Sequence, residues 1–349
     1  MATATGIYHT DYRKDLALRH TKAEYARLAL LLAFIVVLPF RLDTYWLHDV
    51  NSIGLAAIAA VGLNILTGYT GLVSLATGAF LGVGAYTAGN LFFRFHWPMP
   101  VGVAAGVLVS AAIGAFFGLP ALRIKGLYLA ISTLAAQYIL LNRFRDWSAL
   151  SQGGTIVISP PKIGSHVIRS NFEWYWIIVV ILALCVAGAV NLFRTGLGRA
   201  FIAIRDQDIA AEVIGVDVGR YKILAFAVAC GMAGLAGALN AHYQGVVTWE
   251  RYDIDVSFLF VAMIIVGGLG TVSGAVYGAA FMTWVPDYIK SIGQTLQRGS
   301  FEFLIRQLSA IQLLLFGIVI VAFLLFEPRG LARLWQRIKD YFRIWPFRY

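Results

Sequence analysis

From Val50 to Phe93 the chain carries no charged residue, about twice the roughly 20 residues that one helix needs to cross a bilayer core. A run of that length has to fold back on itself, and Gly68–Gly71 offers the break. A second uncharged run, Val256 to Pro286, is interrupted at Gly267, Gly268, Gly270 and Gly274. Both runs are continuously apolar rather than alternating. That favours helices over a barrel, because in lipid every backbone N–H and C=O must be bonded within the protein. Only 13% of the 349 residues are charged, against about 25% in a soluble domain. The expected fold is all-α, a polytopic transmembrane helix bundle of about ten spans with broken helices.

Leu28 opens the first apolar run after a polar arm, residues 1–27, that holds Arg13, Lys14, Arg19, Lys22 and Arg27. A cleaved leader is the competing reading; no small-residue cleavage pattern follows Phe40, so an uncleaved first helix is expected. Further breaks fall at His96–Pro100, at Arg123 and Lys125, and over Arg143 to Glu173, where Gly153, Gly154, Pro160 and Pro161 mark irregular backbone. Gly126 to Asn142 is the fifth span, Trp174 and Trp176 open the sixth, Ile223 to Val247 is the seventh, and Gln307 to Phe326 is the tenth. The membrane domain is therefore expected over 28–326, followed by a basic tail over 327–349. Alternating the spans from a cytoplasmic start places most of the 28 lysines and arginines on inner segments. Both termini and the polar stretch Arg194–Lys222 are expected in the cytoplasm.

That polar stretch has an apolar segment before it and another after it. Asp208 can N-cap a short helix whose first turn is Ile209, Ala210, Ala211 and Glu212, with the acid well placed for the helix dipole and Gly215 as the stop. Ile209 and Val213 fall on one side of it. Such a helix is too short to stand alone in water, so it needs its own protein or a partner to lie against. An ordinary solvated loop with one helical turn is the plainer alternative.

The six histidines are scattered and show no metal-ligand spacing. Cys185 and Cys230 lie inside apolar runs as small buried side chains. No Gly-rich loop ends in Gly-Lys-Ser or Gly-Lys-Thr, so any ATP is expected to be handled by another subunit. The formal charge of +10 has no soluble basic domain to carry it toward nucleic acid, and membrane lipid is the expected surrounding. Polar residues at membrane depth are neutral, among them Asn64, Thr67, Ser74, Thr77, Gln137 and Asn240. They either line a path for a polar solute or bond neighbouring helices. Gly68, Gly71, Val73 and Ser74 recur at the same offsets as Gly267, Gly270, Val272 and Ser273, and repeated broken helices point to a substrate path.

The run from Gly198 to Leu239, containing GRAFIAIRDQDIAAEVIGVDVGRYKILAF and AGLAGAL, resembles the branched-chain amino acid ABC transporter permeases of the LivM type. The stretches GLNILTGYTGLVSLATGAFLGVGAY, from Gly62 to Tyr86, and GGLGTVSGAVYGA, from Gly267 to Ala279, are similar to the same family. The resemblance implies a non-catalytic permease subunit of the bacterial inner membrane. It would pair with a second, LivH-type permease, two cytoplasmic ATPase subunits that hold ATP and Mg, and a periplasmic substrate-binding protein. In those terms Ala210, Ala211, Glu212 and Gly215 match the core of a coupling helix, and Tyr221 and Lys222 its exit. Ile209 and Val213 would then gain a partner surface, with Arg199, Arg205, Asp206 and Asp208 pairing across it. The Arg143–Glu173 connection departs from the family pattern, since Thr155 follows Gly153 and Gly154. Branched-chain or related amino acids are the expected solutes, with urea, short amides and aromatic acids as the alternatives that similar permeases move. A stand-alone secondary carrier and a membrane enzyme are the rival classes. No acid, base and nucleophile converge to support the second.

Overall fold

The computed structural model describes residues 22–146, 155–163, 166–296, 317, 318, 321, 325 and 330–344. The chain divides into two compact units, one ending at His48 and the other running from Asp49. The first holds α1 (Lys22–Arg41) and the opening turn of α2 (Thr44–Leu63), which continues into the second unit and ends in a π-helical turn, Asn64–Tyr69. After it come α3 (Thr77–Phe95), α4 (Met99–Phe117), α5 (Leu127–Asp146), α6 (Asn171–Arg194), α7 (Gly196–Val213), α8 (Val218–Gln244), α9 (Ile254–Gly267), α10 (Val272–Leu296) and α11 (Gly330–Ile344).

The all-α expectation holds for the bundle, with one correction. Part of the Arg143–Glu173 connection forms strands: β1 (Thr155–Val157) pairs antiparallel with β4 (Val246–Thr248), and β2 (Lys162–Ile163) pairs with β3 (His166–Val167). Short β-branched runs leaving the membrane can bond to each other where a helix has no length to form. Ten spans are not reached among the described residues. Four helical stretches are long and apolar enough to cross a bilayer: Thr44–Tyr69, Met99–Phe117, Asn171–Arg194 and Val218–Gln244. By contrast α9 has 14 residues, about 21 Å of helix at 1.5 Å per residue, short of a core about 30 Å thick. Most of the expected tenth span, Gln307–Phe326, and most of the arm over 1–27 lie outside the described residues.

Helix ends follow local chemistry. Ser170 and Glu173 form a capping box at the start of α6: Ser170 Oγ accepts from the Phe172 N–H at 3.2 Å and Glu173 Oε2 from the Ser170 N–H at 3.3 Å. Asp217 caps α8 by accepting from the Arg220 N–H at 3.1 Å, and Gly245, with φ of 69°, closes its far end.

The core is organised around α8, which packs along α3 and α4 through small residues. Gly237 meets the Leu81 carbonyl and Gly84 meets the backbone of Gly234, both so closely that no Cβ fits between them. On α4 Gly114 abuts Cys230, and just past its end Gly118 abuts Phe226. Lipid tails are as apolar as the side chains, so association here rests on close backbone approach. Thr77 lies level with Ala229 and Ala233, halfway along α8, so α3 begins inside the bundle rather than at its edge. The Asp253 carbonyl, at the head of α9, sits 3.0 Å from where a Cβ on Gly78 would stand, so α9 begins at the same depth.

Replacing Gly237 with Val should push α8 off α3 and destabilise the chain by about 1–3 kcal/mol or more. Gly188→Ala, at a position with nothing within 4 Å, should leave stability unchanged or slightly raised. Thermal unfolding of the two variants in the same detergent measures the difference.

Candidate coupling and translocation site

The two glycine breaks echoed in the sequence meet in space. The chain leaves its π turn through Gly71 at φ of 74°, and it turns from α9 to α10 through Gly268 and Gly270 at φ of 118° and 77°, values that glycine adopts without strain. Asn64 bridges the two: its Nδ2 donates to the Thr271 carbonyl at 2.9 Å and its Oδ1 accepts from the Gly270 N–H at 2.9 Å. A Cβ on Gly68 would strike both the Asn64 carboxamide and the Gly270 nitrogen. From α7, Arg205 Nη1 donates to the Gly68 carbonyl at 2.6 Å, and the same Nη1 lies 2.8 Å from where a Cβ on Gly270 would stand. One asparagine and one arginine thus tie both breaks to the polar stretch.

A second polar joint lies deeper. Because α3 begins inside the bundle, its leading N–H groups have no water to bond. Ser257 Oγ accepts from the Gly78 N–H at 2.8 Å, Gln137 Oε1 from the Ala79 N–H at 2.7 Å, and Thr133 Oγ1 from the Leu75 N–H at 3.0 Å. Gln137 also donates to the Tyr252 carbonyl at 2.7 Å and accepts from Ser257 at 3.1 Å. Asn64 and Gln137, expected to line a path, are fully buried with both ends of each amide engaged between helices. Thr67 donates to the Leu72 carbonyl at 3.1 Å, Ser74 and Thr77 are buried, and Ser273 is exposed. Ser257 was not legible as a partner; its only signal is a lone hydroxyl in the apolar sequence of α9.

Asn240 has different surroundings. It lines a cleft of about 270 Å³ whose polar members are Ser52, Asn240, Gln244, Arg251 and Thr283, over an apolar floor that includes Leu81, Phe260 and Met263. The cleft descends from the Gln244 end of α8 toward Tyr252, which sits beside the buried joint.

The polar stretch is helical from Gly196, with an extended residue inside it: Gln207 has φ of −163° and ψ of 108°. The short helix therefore starts at Asp208 itself, with the non-helical position one residue earlier than the expected N-cap. Asp208 is occupied elsewhere. Its carboxylate takes Lys125 Nζ at 2.6 Å and Lys222 Nζ at 3.4 Å, and buried Lys222 also donates to the Ala121 carbonyl at 3.4 Å. The Lys125 hydrogen bond, aided by Lys222 and opposed by burial, holds the Asp208 carboxyl below the usual carboxylate range. Arg205 and Asp208, expected to pair outward, thus hold the helix from behind. Arg199, Asp206 and Glu212 are exposed, and Ala211 is buried. Ile209, Val213 and Ile214 are 63%, 83% and 75% exposed. Gly215 ends the helix at φ of 89°, and Tyr221 stands edge-on to Phe201 behind an open groove of about 540 Å³ that Arg199, Ile214 and Asp217 also line. Among the described residues no three His, Cys, Asp or Glu side chains are grouped to hold a metal.

Asn64→Leu leaves the Gly270 N–H and Thr271 carbonyl unpaired, about 1–3 kcal/mol for each buried group; it should lower the thermal midpoint far more than Asn142→Leu at an exposed site. The Asp208 contribution has a definite pH sign. A lowered folded pKa stabilises at neutral pH, and that stabilisation disappears as pH falls through the lowered value. The gap in thermal midpoint between the parent chain and Asp208→Asn should therefore be widest near neutrality and close below about pH 4.

Residues 49–324 match the model of the family described as branched-chain amino acid transport system / permease component. The chain is similar to the high-affinity branched-chain amino acid transport system permease protein LivM of Salmonella typhimurium, 28% identical over 86% of this chain and 73% of the relative. The LivM protein of Escherichia coli is 27% identical over 87% of this chain and 74% of its own length. The autoinducer 2 import system permease protein LsrC of an Enterobacter species is 27% identical over 61% of this chain and 62% of its own. No solved structure matches.

Proposed function

Since the chain belongs to the family of branched-chain amino acid transport permease components, we propose that it is the membrane subunit of an ATP-driven importer for branched-chain or related amino acids. In this reading it sits in the bacterial inner membrane with both termini cytoplasmic. It pairs with a second LivH-type permease, and two cytoplasmic ATPase subunits hold ATP and Mg. A periplasmic binding protein delivers the solute. The chain itself catalyses no reaction.

The observation that carries the reading is the helix beginning at Asp208. Its outer face offers Ile209, Val213 and, one residue beyond, Ile214 to a partner, while Asp208 and Arg205 fasten it from behind to Lys125, Lys222 and Gly68. A helix pinned in this way moves as a rigid body. Displaced by ATPase closure, it would draw on the Gly68 carbonyl and, through Asn64, on the α9–α10 turn, shifting both breaks together. The solute would enter by the cleft lined by Asn240, Gln244 and Arg251. Since one similar permease belongs to an autoinducer 2 import system, the same machine carrying a different small polar solute is the second reading.

Reconstitution with the ATPases and binding protein tests coupling. Val213→Asp, Glu212→Arg and Gly215→Val should each reduce ATP-driven uptake about tenfold or more, with the permease still present in the membrane at the parent level. Unchanged uptake in all three would remove the coupling role.

A further inference from the structure

Helix α11 is not a solvated tail. Leu331, Leu334, Trp335, Ile338 and Tyr341 recur at helical spacing on one side, and Arg333, Gln336, Arg337, Lys339 and Asp340 occupy the other. The first turn is docked: Ala332 is 4% exposed, Leu331 packs on the core, and Gly330, at φ of 74°, lies against the Gly267–Gly268 backbone, where a Cβ would meet Gly268 at 2.5 Å. From Arg333 to Tyr341 every residue is exposed, including Trp335 at 57% and Tyr341 at 67%. An apolar stripe that includes Trp335 thus runs on, exposed, beyond the docked first turn. The helix has 15 residues and too many charges to cross a bilayer.

We propose that α11 lies in the bilayer surface beside the α9–α10 turn and binds anionic phospholipid headgroups, its apolar stripe entering the acyl boundary and its basic side meeting the phosphates. Charge complementarity selects this occupant. Arg333, Arg337 and Lys339 outnumber Asp340, and the sequence adds Arg343 and Arg348, the pattern of a helix held at an anionic leaflet by apolar burial and electrostatic attraction together. Trp335 and Tyr341 are the side chains that favour the headgroup level. The foot of the helix rests on a turn that is itself bonded to Asn64, so the anchor emerges at the same end of the bundle as Arg205. Neither ATPases nor solute enter this inference, so it stands or fails separately from the importer reading.

The full chain is placed in nanodiscs of brominated phosphatidylcholine, alone or mixed with brominated phosphatidylglycerol. The Trp335 signal is taken as the emission of the parent minus that of Trp335→Phe. Quenching should be about twofold or more stronger with phosphatidylglycerol, and Arg333→Gln/Arg337→Gln/Lys339→Gln or high salt should abolish the difference. Equal quenching in both lipids, unchanged in the triple variant, would overturn anionic recognition. A Trp335 signal unquenched in both lipids, or shielded only when ATPase subunits are added, would assign the stripe to water or to protein and overturn the proposal. All four substituted side chains are exposed, so the parent fold is retained as the reference.

Discussion

A backbone that stops being helical inside a bilayer has to find hydrogen-bond partners within the protein, and the rest of this structure follows from where it finds them. Two helices here begin at mid-depth and two chain reversals sit against each other. The free N–H groups of α3 are met by Gln137 and Ser257, the Leu75 N–H just before it by Thr133, and the glycine turn before α10 is met by Asn64. Each such amide or hydroxyl joins elements far apart in sequence. Asn64, Thr133, Gln137 and Ser257 are therefore fasteners, as expected where an unpaired polar group in hydrocarbon costs several kcal/mol.

The same rule links the polar stretch to the membrane. Gly68, at the end of a π turn, has a carbonyl that no regular helix satisfies, and a guanidinium from α7 reaches it. On the far side of Gln207 the Asp208 carboxylate is gripped by two lysines from other elements. The extended residue between them separates two fixed points, one holding the helix breaks and one holding the α4–α5 connection and the start of α8. Of the three side chains only Lys222 is buried, and the Asp208 carboxylate compensates its charge there.

Much of this was legible in the sequence, and the limits have physical causes. The uncharged runs located the bundle and its glycine breaks, since length and charge are local properties. The echo of Gly68 and Gly71 in Gly267 and Gly270 pointed to two related breaks, and they do lie together. Pairing was not legible. Nothing in the sequence says that Asn64 faces Gly270 or that Asp208 faces Lys125, because those contacts are set by packing between distant segments. Asp208 looked like an N-cap because capping preference is local, while its two lysine partners are not. The helical order of α11 was missed because a count of basic residues hides the alternation of faces.

The glycine seam has a mechanical consequence. With α3, α4 and α8 approaching backbone to backbone at Gly84, Gly106 and Gly237, there is little spare volume at the seam in which one of them could slide or rotate against another. Those three helices have to travel together as a single girder. Any change of shape in the membrane is left to the segments hinged upon it, chiefly the short α9 and the turns at its ends.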